Sequence, residues 1–203
     1  MHVPVSDTAE LEILSYEQAE MLSGSDSYDR EKWIYIPDFY TEYRYVLGTR
    51  GSRPVICAGI NPSTAEPDHL DPTLQSVSRI AASNGRDSWL MFNVYAQRAT
   101  RPDDMDPVRN EMLHRENMHA FRALLEMAFR CGENPLIWAA WGAIIEKRSW
   151  LKSCVRDMYE TALPIHAEWV CAGKCSVRGH PHHSLYLRHD EKFHSFDIGG
   201  YLT

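Results

Sequence analysis

The sequence has no apolar run near the roughly 18–20 residues a membrane-spanning helix needs, so a spanning protein is not expected. Its first residues, MHVPVSDTAELEI, have neither a basic start nor an apolar h-region, which argues against a secretory signal. Cysteine is scarce. Cys57, Cys131, Cys154, Cys171 and Cys175 are too few and too scattered for a disulfide framework. Together these absences point to a reducing, cytoplasmic setting. No internal repeat or low-complexity tract interrupts the chain. An excess of basic residues is missing too: the formal net charge is −7, which looks wrong for a nucleic-acid binder.

The distribution of that charge changes the reading. Residues 1–31 hold eight carboxylates against the single Arg30, a net of −7, so the other 172 residues are neutral, with 20 basic and 20 acidic side chains. A neutral body neither requires nor forbids a polyanionic ligand, because a local basic groove suffices for phosphate contacts. What is present is ordinary for a globular chain of 203 residues: 44% hydrophobic and 24% charged, enough for one domain with a buried core. Two units are expected, an acidic extension over 1–31 and a single domain over 32–203. The extension should form a short amphipathic helix over 9–22 and pack loosely. It would serve either as a solvated tail or as an electrostatic gate over Arg98, Arg101, Arg178 and Arg188.

The periodicity predicts four core strands: Val55–Gly59, Trp89–Ala96, Leu136–Trp141 and Trp169–Ala172. Helices are expected between them, one opened by Asp71-Pro72 and stopped by Gly85, one opened by Asp106-Pro107, and one across 143–162. Aromatics from Trp33 to Tyr45 suggest edge strands broken at Pro37. Strands alternating with helices make a mostly parallel sheet, whose ligands bind where the strands' carboxyl ends open into loops. Polar and Gly- or His-containing sequence concentrates at those ends.

Four constellations stand there, each with two readings. Gly59-Ile60-Asn61-Pro62-Ser63-Thr64-Ala65 is either a plain Asn-Pro turn or a cradle whose amide, hydroxyls (Ser63, Thr64) and backbone N–H groups hold water or phosphate. Asp71 is a helix cap or a water-activating carboxylate. Asn93 is a polar residue inside an apolar strand, either a buried, satisfied amide or part of a strand-end turn. Gly179-His180-Pro181-His182-His183-Ser184 is a loop with one working imidazole among solvated neighbours, or a metal site with Cys171 and Cys175. The spacing fits no zinc pattern, so no metal and no cofactor are expected. Arg98, Arg101, Lys174, Arg178 and Arg188 offer phosphate contacts along the same edge.

Taken in order, several motifs resemble one bacterial and phage family, domain of unknown function 1643, over about residues 42–190. They are Tyr43-Arg44-Tyr45, Asn61 to Ala65, Asp71-Pro72-Thr73, Phe92 to Ala96 with Arg98-Ala99-Thr100, Ala140-Trp141-Gly142, and Gly179-His180-Pro181 through Leu185-Tyr186-Leu187. Ser184 departs from the family's proline in an HPLYL-like ending. The same landmarks are more distantly similar to the uracil-DNA glycosylase superfamily: GINPS to the GINPG motif of its mismatch-specific branch, LMFNVYAQR, IWAAWG and GHPHHSL to three segments of the classical branch.

That resemblance implies a three-layer α/β/α fold on a four-stranded, mostly parallel sheet. It also implies a DNA glycosylase that hydrolyses the N-glycosidic bond of a modified or damaged base flipped from the strand. Apart from the resemblance, a monomer is expected. His180 would donate to the leaving base, Asn61 would orient water, and Asn93 would read the Watson–Crick edge. Tyr95 or Trp141 would stack on the base, or belong to the core. Ser63, Thr64, Asp71, Arg98 and Arg178 would complete the substrate contacts. The alternatives are a non-catalytic nucleic-acid or nucleotide-binding module of this fold, or a hydrolase of free modified nucleosides or nucleotides.

Overall fold

A computed structural model describes residue 4 and residues 8–203. At its centre lies the strand β3 (Pro54–Gly59), six buried residues in a row. It pairs in parallel with β4 (Ser88–Asn93) on one side and β5 (Leu136–Ala139) on the other, and β5 pairs in parallel with β6 (Glu168–Ala172). Strands covered on both faces by helices read as continuous apolar runs, which is why the periodicity found all four.

The sheet is wider than the expected four strands. The hairpin of β1 (Trp33–Ile36) and β2 (Val46–Thr49) adds antiparallel to β4, and β7 (Phe193–Ser195) adds antiparallel to β6. The order is β1-β2-β4-β3-β5-β6-β7, a seven-stranded mixed sheet. The aromatic run announced the first two. The third, Phe-His-Ser, is too short and too polar to carry a periodic signal.

Most α-helix starts follow local side-chain caps. α2 (Pro72–Ser83) starts where the Asp71 carboxylate accepts the Leu74 N–H at 2.9 Å, and it stops before Gly85, whose φ of 71° suits glycine. α3 (Glu111–Arg130) begins later than Asp106-Pro107 predicts. The Asp106 carboxylate is taken instead by the Gln97 amide at 2.8 Å and by Thr8, so Asn110 caps the helix. The expected helix over 143–162 divides into a 3₁₀ stretch, Gly142–Lys147, and α4 (Leu151–Ala162). Within 9–22 the regular helix is only α1 (Tyr16–Leu22), fixed by a capping box of Ser15 and Gln18. A short α5 (Ile198–Leu202) ends the chain.

Two apolar clusters cover the two sheet faces. One joins Ile56, Phe92, Phe121, Leu124, Trp141 and Trp169 with residues of α1, α3, α4 and α5. The other joins Trp89, Met91 and Trp138 with Leu74, Val77 and Ile80 of α2. Tyr16 and Ala19 lie within the first cluster, so residues of the acidic segment share the domain's core. Among the described residues no helix is long and apolar enough to cross a membrane.

The connection from β3 leads through α2 to β4, while that from β5 leads through α4 to β6 on the opposite side. The chain therefore diverges between the carboxyl ends of β3 and β5. Such divergence leaves a crevice between the outgoing loops.

Candidate active site

The loop after β3 is the most heavily tied element at this edge. Arg98 donates to the Ser63 carbonyl at 2.6 Å and to the Tyr35 hydroxyl at 3.0 Å. Arg44 donates to the Ala65 carbonyl at 2.8 Å. Both guanidinium groups are buried, and neither has a carboxylate within ion-pair distance among the described residues. Burial, with Arg98 close by, lowers the Arg44 pKa to about 9. The two cations hold the loop's carbonyls inward and lend it positive potential.

Within this loop the Asn61 amide nitrogen donates to the carbonyls of Ala99 (2.6 Å) and Pro62 (3.1 Å), and Ala99 N–H returns a bond to Pro62 O at 2.9 Å. The amide orientation is thereby set, and Asn61 Oδ1 accepts from no described residue. Ser63 Oγ lies 3.2 Å from Thr100 Oγ1, and Thr64 is exposed.

Asn93 closes β4 beside this loop. Its side chain is 1% exposed, and neither its amide oxygen nor its amide nitrogen has a partner. Its oxygen lies where Gly59 has no side chain: a Cβ there would meet it at 3.0 Å and the Met91 methyl at 2.3 Å. The Asn93 backbone is held by the Asn117 amide at 2.9 Å. A buried amide with both ends unsatisfied costs on the order of 1–3 kcal/mol for each group, and such a group calls for a partner the protein itself does not supply, a ligand or an ordered water.

The imidazole at this crevice is His183 rather than His180. His183 packs on Gly142, where a Cβ would sit 3.2 Å from its own, and Gly142 has the φ of 62° that glycine adopts readily. Its Nδ1 accepts the Leu185 N–H at 3.3 Å, which leaves the neutral ring's proton on Nε2. Burial pushes its pKa below the ordinary 6.5, partly offset by the Asp71 carboxylate, so the ring is neutral at pH 7. Ser76 Oγ fixes the next residue by donating to Ser184 O at 2.8 Å. Asp71 therefore caps α2 and also faces this imidazole.

His180 lies elsewhere. Its Nε2 is 2.9 Å from Glu146 and its Nδ1 2.9 Å from the Tyr201 hydroxyl. Glu146 also takes Arg178 at 2.6 Å. With both nitrogens engaged, His180 has no proton directed at a ligand beside Asn61. These residues line a separate cavity of about 870 Å³ with Cys171, Cys175, His194 and Lys152. The expected site residues thus fall into two groups: Asn61, Ser63, Asp71, Asn93 and Arg98 with His183 in one, His180 and Arg178 in the other.

Tyr95 and Trp141 are wholly buried. The Tyr95 ring packs on Trp150 at 4.6 Å and its hydroxyl accepts the Asn110 N–H at 2.9 Å. Trp141 packs on Trp169, Phe196 and Tyr201. Of their two readings, the structure takes the core one, and neither offers a face to a base. Arg178 and Arg188 are paired with Glu146 and Asp190, which reduces the basic edge to Arg101 and Lys174. No acidic side chain of residues 8–31 pairs with Arg98, Arg101, Arg178 or Arg188 among the described residues, so the gate lacks the contact it requires.

Sequence reasoning missed Arg44 and His183. Arg44 sat between two tyrosines with nothing to announce its burial. His183 was legible as the histidine of the HPLYL-like ending, with Ser184 in the proline's place.

A family description, Protein of unknown function (DUF1643), matches residues 44–185. The matched span holds Arg44, the Asn61 loop, Asn93 and His183. No curated protein and no solved structure matches the chain. With its crevice residues inside the matched span, the chain belongs to the family described as Protein of unknown function (DUF1643).

Proposed function

We propose that the crevice between β3 and β5 binds a nucleobase and hydrolyses its N-glycosidic bond, as a DNA glycosylase does on a modified or damaged base flipped from the strand. One observation carries the reading, the buried and unpartnered amide of Asn93. Carboxamide groups pair bidentately with a base edge that offers one donor and one acceptor. Four parallel strands covered on both faces also support the three-layer, glycosylase-like architecture. Because both amide atoms are enclosed, a base reaches Asn93 only if the 61–65 loop or the 183–187 segment shifts off the strand ends.

The neighbouring groups have fitting chemistry. A neutral imidazole with its proton on Nε2 donates to an oxygen where negative charge develops without first having to lose a proton. His183 takes this role in place of His180. Asn61, held through its nitrogen, offers Oδ1 to orient a water. So electrophilic a sugar requires positioning more than deprotonation. The Arg44–Arg98 pair gives the loop a positive field that favours a phosphodiester alongside.

The test is a panel of oligonucleotides with uracil, hydroxymethyl-, glucosylated and deaza-modified bases, scored for abasic sites by alkaline cleavage. Base release is expected, slowed about 10²–10³-fold by His183→Gln, as for loss of one such donor. Unchanged release in Asn61→Ala, Asn93→Ala and His183→Gln together would overturn the assignment. Binding without release would favour the non-catalytic module, and release only from free nucleosides the third reading.

A further inference from the structure

The second cavity holds groups with no part in that chemistry. Cys171 is the penultimate residue of β6, and Gly173, at φ 69°, turns the chain so that Cys175 comes back over it, with the two sulfurs 3.8 Å apart. Across the sheet, the β6–β7 register sets His194 directly opposite Cys171, and His194 Nε2 lies 3.2 Å from Cys171 Sγ. Two thiols and an imidazole nitrogen, brought from a strand, a loop and a neighbouring strand, thus meet on one wall of the cavity.

We propose that Cys171, Cys175 and His194 bind a soft divalent metal ion of the zinc class. The distances carry the argument. Tetrahedral zinc with Zn–S near 2.3 Å and Zn–N near 2.0–2.1 Å sets ligand atoms about 3.8 Å apart for two sulfurs and about 3.6 Å for sulfur and nitrogen. The sulfur pair matches, and the Cys171–His194 edge is within a few tenths of an ångström. The third edge, Cys175 to His194, exceeds 4.8 Å. Cys175 is half-buried in the loop after the Gly173 bend and His194 is exposed, so closing the set requires one of these two side chains to rotate.

A bound metal ion takes the cysteines as thiolates: each sulfur gives its proton to solvent and its lone pair to the ion, so binding releases two protons. Three protein ligands leave a fourth position turned toward the cavity, which also bears Asp197 and Glu146. Glu17, Glu116 and His119 also cluster, but Glu116 already accepts from Tyr16 N–H and pairs with Arg115 and His119.

Tag-free full-length protein, purified with reductant and chelator, would be titrated with zinc against a chromogenic chelator, then with cobalt. One equivalent of zinc is expected, with affinity rising with pH, and cobalt should give a thiolate-to-metal charge-transfer band. Both signals should vanish in Cys175→Ser and weaken in His194→Gln, while Glu17→Gln leaves them intact. Circular dichroism checks that Cys175→Ser, at its half-buried loop position, remains folded. Failure of the reduced wild-type protein to bind zinc, or undiminished binding in both variants, overturns the proposal. So does recovery of the two cysteines as a disulfide in a protein whose reduced form takes up no zinc.

Discussion

Asn93 shows how one side chain can be costly to the fold and useful to the site. Both amide atoms are buried without partners beside Gly59. Leucine has nearly the same shape and no polar atoms. Replacing an unsatisfied polar group by an apolar one of equal shape is neutral or stabilising. Asn93→Leu is therefore expected to raise unfolding stability by roughly 1 kcal/mol in urea titration and, under the proposed function, to abolish base binding. Loss of stability would show that the amide is satisfied in the protein. His183 gives a pH-dependent counterpart. Its pKa is lowered in the fold by burial, and that of His114 likewise. Below pH 6.5 the unfolded chain takes up protons that the folded one refuses, so stability is whole above that value and falls as pH drops through it. His183→Gln should flatten this slope in part, measured by thermal melts from about pH 7.5 to about 5, which bracket the ordinary histidine value.

At the scale of elements, caps decided where helices begin. Asp71 has two jobs, closing the first turn of α2 and facing His183. Asp71→Ala should cost about 0.5–2 kcal/mol by loss of the cap and lower the His183 pKa further. Asp71→Asn keeps the cap, since asparagine caps as well as aspartate, and loses only the charge. Stability measured on the pair, with imidazole titration by NMR, separates the two. Asp106 shows the opposite case. Its Asp-Pro signature is as good as that of Asp71-Pro72, yet Gln97 and Thr8 occupy its carboxylate and the helix waits for Asn110. Local sequence cannot show which of two equal caps a distant side chain will take.

At the scale of the whole molecule, described residues of the acidic segment are packed and hydrogen-bonded into the body. Tyr16 and Ala19 enter the main core, Leu14 N–H donates to the Tyr43 hydroxyl at 2.9 Å, and Tyr45 donates to Leu14 O at 2.7 Å. Tyr16→Ala should cost about 3 kcal/mol, as loss of a buried aromatic does, read as a lower urea midpoint. A cost near zero would show that the segment merely rests on the body. Its charge remains exposed all the same, so general repulsion of a polyanion, screened beyond about 8–10 Å at physiological salt, is the electrostatic effect left to it.

The sequence by itself determined the parallel strands, the α2 cap and the order of the motifs, because each rests on neighbours a few residues apart. Continuous apolar runs mark strands covered on both sides, and Asp-Pro with a later glycine marks a helix. Only the tertiary structure decided the rest. It divided the loop-borne residues between two places, gave His183 rather than His180 to the crevice, buried Arg44, and set His194 opposite Cys171. The physical reason is common to all four. Which nitrogen is spoken for, which cation loses its water, and which strand lies alongside depend on partners tens of residues away, such as Glu146 and Tyr201 for His180 or β7 for Cys171. Those pairings are made by the packing of the sheet and carry no mark in the local chain.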